Sequence, residues 1–197
     1  MMYLLCQIEV NKHNQPVSLV LKNLYFFILF LLVSCFAFAQ PKSFRIYTVN
    51  DGLISNSPQH IFQDNDGFIW IGSLEGLSIY NGYHFVNYTT ENKGLSNNII
   101  GNFFEYSKQE MWVLHKNGID VFVKRKFTKT LPVEGISFIF RARDQRILAT
   151  GRGGIYEFKG KQPHLIYSAV KFFYSLFEIG GYFLACENPW ESIVLFD

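Results

Sequence analysis

The sequence predicts an all-β protein: a partial β-propeller of about three to four blades, each a four-stranded antiparallel sheet, after an N-terminal signal peptide. Short apolar runs alternate with turn pairs such as Asp66-Gly67 and Asn81-Gly82, which are typical of β-hairpins. The pattern recurs at a spacing of roughly 36 to 42 residues, with about four strands in each repeat. Repeats of this length that are rich in glycine and aromatic residues indicate propeller blades rather than helical repeats.

The first two repeats superimpose without a gap when the sequence is shifted by 42 positions. The matched pairs are Gly52-Leu53 with Gly94-Leu95, Asn56 with Asn98, Phe62 with Phe104, Trp70 with Trp112, Gly76 with Gly118, and Tyr80 with Phe122. A third repeat has Leu148 at the tryptophan position, and a fourth, fainter one includes Gly181 to Ala185. Because such a repeat buries its faces only against its neighbours, the copies are expected to stack into one domain.

One motif runs from Gly52 to Gly82: G-L-x-x-N, then D-x-x-G-x-I-W-I-G, then G-L-x-x-Y-x-G. It resembles the two-component regulator propeller repeat, which forms periplasmic sensor domains of bacterial histidine kinases and hybrid two-component systems. The resemblance covers about residues 44–197, and it implies an incomplete propeller sensor domain over 43–197. Members of the family continue into further blades, a membrane span and a kinase. We therefore expect this chain to be an N-terminal fragment, a split gene or a truncated gene product.

Residues 1–39 are predicted to be a signal peptide, with a translation start that looks over-extended. An uncharged apolar run from Leu24 to Phe38 follows a weakly basic flank and ends in the small-residue site Ala37-Phe38-Ala39. The run is short for a membrane span, which needs about 20 residues. An uncleaved anchor and a lipoprotein lipidated at Cys35 remain as alternatives. Either way, the domain is expected in the periplasm or at a membrane, facing the periplasm.

The strands are predicted between the turn signals, taken in order. Residues 44–48, which resemble 85–89, are predicted to form an outer strand that closes the ring with the last blade. The remaining predicted strands are 59–64, 68–73, 76–81 and 83–89, then 100–106, 110–115, 118–123 and 127–131, then 136–141, 146–150, 154–158 and 164–167, and finally 171–178, 182–186 and 192–196.

Two groups of residues in the motif have structural predictions. Trp70 and Trp112 lie in the apolar middle of second strands and are expected to fill the blade interior. Asp64 and Asp66 flank a tight hairpin and are expected to hydrogen-bond locally. The basic run Lys124–Lys126 is predicted to be a solvated edge, and Gly151-Arg152-Gly153-Gly154 a turn between two strands.

Catalytic, metal and cofactor residues are not predicted at any position. Glycoside hydrolysis needs two carboxylates at a defined separation, and five glutamates (Glu75, Glu105, Glu110, Glu134 and Glu178) are not expected to recur at matched blade positions. Four histidines (His60, His84, His115 and His164) lack metal-ligand spacing. Of three cysteines, only Cys186 follows the predicted cleavage site, so an internal disulfide is not expected. The net charge of +2 argues against a nucleic-acid partner.

Two classes of function remain. The first is a non-catalytic sensor that binds an extracellular ligand, with an oligosaccharide as a candidate by resemblance. The second is a secreted propeller enzyme acting on glycans; a non-functional truncated gene product is a further alternative. The loops expected to face a ligand are Gly52–Asn56, Gly94–Asn98, Ser73–Glu75 and His115–Asn117. Because an incomplete ring leaves blade faces and strand edges open, the isolated chain is expected to self-associate.

Overall fold

The structure, a computed structural model, describes residues 21–30, 44–92, 94–170, 172–187 and 193–196. The chain divides into two compact units, Met1–Ile46 and Tyr47–Asp197. In the first unit, residues 21–30 are helical. Within the described ranges, none of the helices is both long and apolar enough to cross a membrane. Most of the predicted signal peptide, including Cys35 and the cleavage site after Ala39, lies outside the described residues.

The second unit consists of β-strands joined by short turns. In chain order the strands are β1 (His60–Gln63), β2 (Ile69–Gly72), β3 (Leu77–Tyr80), β4 (Phe85–Tyr88), β5 (Ile100–Ser107), β6 (Glu110–His115), β7 (Gly118–Val123), β8 (Lys126–Leu131), β9 (Ile136–Arg141), β10 (Ile147–Gly151), β11 (Gly154–Lys159), β12 (Gln162–Ser168), β13 (Phe173–Ile179), β14 (Tyr182–Glu187) and β15 (Ile193–Phe196). Each predicted strand after residue 48 is found, with ends within two residues of the prediction.

The strands form four antiparallel meanders, named here blades 1 to 4. Blades 1, 2 and 3 are the four-stranded sheets β1–β4, β5–β8 and β9–β12, and blade 4 is the three-stranded sheet β13–β15. The first strands of consecutive blades, β1, β5, β9 and β13, are neighbours in space. This arrangement, in which sheets follow one another around their first strands, confirms the predicted partial β-propeller.

The strand register repeats from blade to blade. Equivalent cross-strand pairs are Phe62 with Trp70, Phe104 with Trp112, Phe140 with Leu148, and Phe177 with Leu184. The first two pairs confirm the 42-residue superposition of the first two repeats. The third pair confirms that Leu148 occupies the tryptophan position.

Apolar packing between consecutive blades forms the core. Three clusters of buried side chains occur, one between each pair of neighbouring blades. Trp70 is 1% exposed, and its ring contacts Phe103 and Phe122 of blade 2 at centroid distances of 6.3 and 5.5 Å. Trp112 is 0% exposed and contacts Phe158 of blade 3 at 5.1 Å. Both tryptophans therefore fill the blade interior, as predicted.

One glycine position recurs where the third strand begins, in Gly76, Gly118 and Gly154. Their φ angles are +143°, +153° and +142°, which side-chain-bearing residues rarely adopt. A Cβ atom at Gly76 or Gly118 would also lie 2.5 Å from the carbonyl oxygen of Tyr88 or Leu131 on the fourth strand. The glycine therefore allows the fourth strand to approach closely enough to pair.

Asp64 connects the hairpin between β1 and β2 to the core. Its Oδ1 accepts hydrogen bonds from the backbone N–H groups of Asp66 (3.1 Å) and Phe68 (2.9 Å). Its Oδ2 accepts a hydrogen bond from Trp70 Nε1 at 2.9 Å. The local role predicted for this aspartate is confirmed, and the same carboxylate also satisfies the buried indole N–H.

The prediction of a solvated edge at Lys124–Lys126 is wrong for Arg125. This residue lies on the β7–β8 turn at φ +64°. Its Nη1 atom is 2.8 Å from Asp66 Oδ2, its guanidinium lies 3.9 Å from the ring centroid of Phe68, and its carbonyl accepts from Tyr88 Oη at 2.7 Å. Arg125 therefore joins blade 2 to blade 1. Sequence reasoning missed these contacts because the partners of Arg125 lie 37 to 59 residues away in the chain.

The prediction that the glutamates do not recur at matched positions is wrong for Glu105 and Glu178. Both occupy one position near the end of the first strand, and both reach the preceding blade. Glu105 accepts from the backbone N–H of Asn65 at 3.3 Å, and Glu178 accepts from that of Arg143 at 2.9 Å. In blade 3 this position is Arg141, which donates to two carbonyl oxygens at the end of β5.

We name this recurring site the latch position; its residues are Gln63, Glu105, Arg141 and Glu178, which pair with Ile69, Met111, Ile147 and Phe183. In blades 2, 3 and 4 it links the blade to the first hairpin of the blade before it. The fixed 42-residue spacing conceals the match because the later repeats are shorter.

Residues 44–48 do not form the predicted outer strand. The backbone of Thr48 is instead used locally: its N–H donates to Asp51 Oδ2 at 2.9 Å, and its carbonyl accepts from the N–H of Asp51 at 3.0 Å. These bonds cap a short 3-10 helix, Val49–Asp51. Tyr47 packs on Tyr80 at 5.1 Å. The capping bonds occupy the backbone groups of Thr48 that a sheet would need, so a strand cannot include this residue.

Truncating Trp70 should weaken the contact between blades 1 and 2. We expect W70A to lower the free energy of unfolding by about 3–5 kcal/mol, through lost burial and the cavity left behind. Urea denaturation measures the loss. The exposed Tyr83 (91% exposed) provides the matched control, because Y83A should change stability by less than about 0.5 kcal/mol. A W70A protein as stable as the control would show that this indole does not hold the blades together.

Candidate functional site

A cavity of about 620 Å³ opens where the first strands of the blades converge. It is lined by His60, Gly101, Asn102, Leu114, His115, Lys116, Asn117, Glu134, Gly135, Ile136, Ser137, Arg152 and Phe172. Residues at the beginning of β1, β5 and β9 form its wall, and the turns between second and third strands form its rim. Ligand sites in folds of this kind gather in such a depression, where loops from several blades meet.

Two cations reach the cavity from equivalent turns. Lys116 lies between β6 and β7, and Arg152 between β10 and β11, each four residues after the tryptophan position of its blade. The backbone N–H of Arg152 donates to Gly135 O at 2.9 Å, which holds this turn against the beginning of β9. Glu134 adds one negative charge beside them. The rim is therefore mixed in charge, with an excess of positive groups.

Two polar side chains occupy one equivalent position on the wall. His60 pairs with Gly72, and Asn102 pairs with Leu114, so both stand at the same register near the beginning of a first strand. Desolvation lowers the pKa of His60 from its usual value, which favours the neutral ring. A neutral imidazole and an amide each offer both a donor and an acceptor to a ligand.

Behind the rim, His115 belongs to a buried hydrogen-bond network. Its Nε2 atom is 2.9 Å from Ser96 Oγ and 3.3 Å from Asp120 Oδ1, and its Nδ1 accepts from the backbone N–H of Asn117 at 3.3 Å. Asp120, which is 0% exposed, also accepts from Thr130 Oγ1 at 2.7 Å, from the backbone N–H of Ser96 at 3.0 Å, and from Ser96 Oγ.

The network brings together the residue types of a nucleophilic triad but not its geometry. In a triad, the histidine accepts the serine proton on one nitrogen and donates to the carboxylate from the other. Here, Nδ1 of His115 accepts from Asn117, which assigns the ring proton to Nε2, and the hydroxyl of Ser96 donates to Asp120. His115 therefore has no free nitrogen to act as a base toward Ser96. The network holds a loop in place.

Blade 1 holds its own loop in the equivalent way, with uncharged groups. Ser78 occupies the position of Asp120, and its Oγ accepts from the backbone N–H of Ile54 at 3.0 Å. That hydroxyl donates to Asn87 Oδ1 at 2.7 Å, and Asn87 Nδ2 donates to Gly52 O at 2.9 Å. The Gly-Leu segment at the beginning of each of these repeats is thus anchored to the third strand.

The asparagine of the G-L-x-x-N motif also has a local role. Asn56 Oδ1 accepts from the backbone N–H of Val49 at 2.9 Å, and Asn98 Oδ1 accepts from that of Thr90 at 2.8 Å. Of the four loops predicted to face a ligand, only His115–Asn117 lines the cavity.

Sequence reasoning missed Asn102, Glu134, Ser137 and Arg152 as cavity residues. A signal for Asn102 was present: the 42-residue shift superimposes His60 on it, which gives a polar pair in an apolar strand. Arg152 lies in the predicted Gly-rich turn, which the structure confirms as a turn between two strands. Over the described ranges, no group of three His, Cys, Asp or Glu side chains is placed to hold a metal ion.

Residues 52–75 match the family model described as two component regulator propeller. This segment is similar to a two component regulator propeller repeat. The matched segment covers the anchored Gly-Leu loop, the Asp64 hairpin and Trp70 of blade 1. No curated protein is similar enough to the sequence to count as a relative.

Solved propellers share the fold of this chain. The extracellular domain of BT3049 from B. thetaiotaomicron, assigned to a hybrid two component system, aligns with 79% of this chain at 15% identity and a TM-score of 0.66. That of BT4673 from the same organism aligns with 80% at 18% identity and a TM-score of 0.60. A virginiamycin B lyase from Staphylococcus aureus aligns with 71% at 15% identity and 0.50.

The alignments cover 23% of the BT3049 domain, 22% of the BT4673 domain and 55% of the lyase. The chain therefore spans less than a quarter of the two extracellular domains. At these identities the likeness establishes the propeller fold.

The buried carboxylate of the network should make the stability of the propeller depend on pH. Burial alone would raise the pKa of Asp120, but hydrogen bonds from His115, Ser96 and Thr130 outweigh it and hold that pKa below 3.8. Since the folded pKa is the lower one, the stabilisation is present above about pH 4 and is lost as the pH falls through the folded pKa. D120N should lower the free energy of unfolding at pH 7 by about 1–3 kcal/mol.

Urea denaturation at several pH values between neutral and strongly acidic tests this prediction. Wild type should lose stability in acid more steeply than D120N, because the variant has no carboxylate to protonate there. Asp144 is the control: it is exposed and pairs only with its neighbour Arg146 in the contacts described here, so D144N should leave unfolding nearly unchanged. Parallel pH profiles for wild type and D120N would contradict the assignment.

Proposed function

We propose that this chain is the N-terminal part of an extracytoplasmic propeller sensor of a two-component signalling protein, and that it binds an extracellular ligand in the central cavity without catalysis. The observation that carries the proposal is the two component regulator propeller repeat at residues 52–75, in a blade whose first strand contributes to the cavity wall. The extracellular domains of BT3049 and BT4673, with their shared fold, support it. The kinase that receives the signal is, in this proposal, supplied outside residues 1–197.

The chemistry of the cavity favours an oligosaccharide that carries acidic groups. The amides of Asn102 and Asn117 and the ring of His60 offer donors and acceptors that suit sugar hydroxyls. Lys116 and Arg152 offer charge-assisted bonds to a carboxylate or sulfate group. A neutral sugar would use only the wall, whereas an acidic one would engage both wall and rim.

Two observations support binding without catalysis. Glu134 is the single carboxylate among the described residues that line the cavity, whereas glycoside hydrolysis typically uses two. The potential nucleophile and base nearby, Ser96 and His115, are engaged in the network that anchors a loop. What remains at the cavity is a set of groups suited to recognition.

Reversing the two rim charges should abolish recognition of acidic ligands. We expect K116E/R152E to bind acidic oligosaccharides at least tenfold more weakly than wild type, about 1.4 kcal/mol, because two attractive charges become repulsive. Isothermal titration against a panel of neutral and acidic oligosaccharides measures the effect. K129E is the matched control, because Lys129 is an exposed lysine on β8, outside the cavity.

Three results would count against the proposal. Equal binding by K116E/R152E and K129E would place the ligand elsewhere. Cleavage products in the titrated mixtures, detected by mass spectrometry, would favour the glycan-enzyme alternative. Failure of wild type to bind any member of the panel would remove the oligosaccharide assignment.

Export is the second part of the proposal. Residues 1–39 act as a signal peptide and the propeller resides in the periplasm. We expect the exported protein to begin at Gln40 or Pro41, since cleavage follows the small-residue site. Mass spectrometry of the N-terminal peptide measures this. An intact 24–39 segment would identify an anchor instead, and a lipid on Cys35 would identify a lipoprotein.

A further inference from the structure

Each blade presents one apolar face to the blade before it and another to the blade after it. The leading face of a blade includes the position of Ile61, Phe103, Ile139 and Leu176, which pair with Ile71, Val113, Ala149 and Ala185. The trailing face includes the position of Phe62, Phe104, Phe140 and Phe177. Inside the chain, trailing and leading faces meet three times, at the three apolar clusters.

The leading-face position is buried wherever a blade precedes it. Phe103 and Ile139 are each 6% exposed, and Leu176 is 0% exposed. Ile61 of blade 1 occupies the same position and is 73% exposed. A large aliphatic side chain at a register that is otherwise fully covered indicates a contact surface rather than a solvent surface.

The trailing face of blade 4 shows the complementary exposure. Phe177 is 53% exposed, whereas its equivalent Phe104 is 7% exposed beneath blade 3. Ile179 lies two positions after Phe177 and is 62% exposed. Ala142 lies two positions after Phe140, the equivalent residue of blade 3, and is 2% exposed. The surface that a leading face requires is thus present on the same molecule, at the other end of the row of blades.

Hydrogen bonds from the latch position fix how the leading face of one blade aligns with the trailing face of the blade before it. Glu105 and Glu178 bind the first turn of the preceding blade, and Arg141 binds the end of that blade's first strand. Gln63 is the latch residue of blade 1, and its Nε2 donates to Gly67 O of its own turn at 3.3 Å. A side-chain amide is both a donor and an acceptor, so Gln63 can donate to a backbone carbonyl of a first turn or accept from a backbone N–H.

We propose that the leading face of blade 1 docks on the trailing face of blade 4 of a second copy of this chain. The contact continues the interface that already recurs between blades, with Ile61 in the place of Phe103 and Gln63 in the place of Glu105. Because the two faces differ, the association is head-to-tail: it closes if two copies satisfy both contacts and otherwise grows into a chain.

The second copy would also complete the candidate site. The cavity is walled by the first strands of blades 1, 2 and 3, with His60 of blade 1 and Phe172, just before β13, at its two sides. Blades added at either side extend that wall around the same centre. The inference does not depend on the ligand. It concerns residues 1–197 as a separate chain, because in a longer chain further blades of that chain would meet the same two faces.

Two single variants, each removing one face, test the proposal. In the 197-residue chain, I61D removes the leading contact and F177D removes the trailing contact; both side chains are exposed, so the fold should survive. Y83D is the matched control, an exposed aromatic residue on the β3–β4 turn. Analytical ultracentrifugation measures association, and circular dichroism verifies folding.

We expect wild type and Y83D to associate with increasing concentration. Either single variant should raise the dissociation constant at least thirtyfold, the effect expected from losing a hot-spot contact. An equimolar mixture of I61D and F177D retains one intact interface and should form a one-to-one complex that grows no further. If an aspartate variant unfolds, I61S and F177S replace the pair.

Several outcomes would overturn the proposal. Wild type that stays monomeric over the whole concentration range would show that these faces do not recognise another copy. Association that persists unchanged in both I61D and F177D would place the contact elsewhere, for instance in the apolar N-terminal segment. A mixture of the two variants that remains monomeric would exclude the head-to-tail pairing.

Discussion

The structure depends on one constraint: each blade is a small sheet with two apolar faces, and both faces need a neighbouring sheet. A single four-stranded sheet cannot cover itself, so the hydrophobic free energy is gained only between blades. Trp70, Trp112 and Leu148 provide the bulk at equivalent positions of three blades, and each is fully covered by the next blade. The repeat in the sequence is therefore a repeat of interfaces as much as of sheets.

Polar groups add register to this apolar packing. The latch residues tie the first strand of a blade to the turn of the blade before it, and Arg125 adds a second tie through Asp66 and Phe68. Such contacts are individually modest because most are partly solvated. These polar contacts set the relative orientation of two adjacent blades: they fix which ends of the two sheets meet, which an apolar surface alone does not specify.

Hydrogen bonds between loops and third strands also shape the cavity. Loops that would otherwise move are anchored to third strands, by Ser78 in blade 1 and by Asp120 in blade 2. Anchoring uses the hydroxyl, imidazole and carboxylate groups that would be needed for nucleophilic chemistry. The groups that reach the cavity, Lys116 and Arg152 among them, come from short turns on rigid strands. A site built this way is arranged before a ligand binds, which lowers the entropic cost of recognition.

By itself, the sequence determined the fold class, the strands and the repeat. Turn pairs such as Asp66-Gly67 and the recurring glycines are local signals, because hydrogen bonding within one hairpin requires them. The 42-residue spacing of Trp70 and Trp112 is a periodic signal, which can be read directly from the sequence. It also indicated the capping role of Asp64, whose partners lie within six residues. One local competition escaped it: the capping bonds of Thr48, which prevent a strand at 44–48.

Only the tertiary structure decided which side chains meet across blades. The latch position, the contact of Arg125 with Asp66 and the convergence of His60, Asn102, Lys116 and Arg152 on one cavity join residues that are 14 to 92 positions apart. Beyond the first two blades, repeats of unequal length place equivalent residues at unequal intervals, so the 42-residue period does not reveal them. The physical reason is that such contacts follow from how whole sheets stack, and stacking is set by summed apolar packing rather than by any single residue's preference.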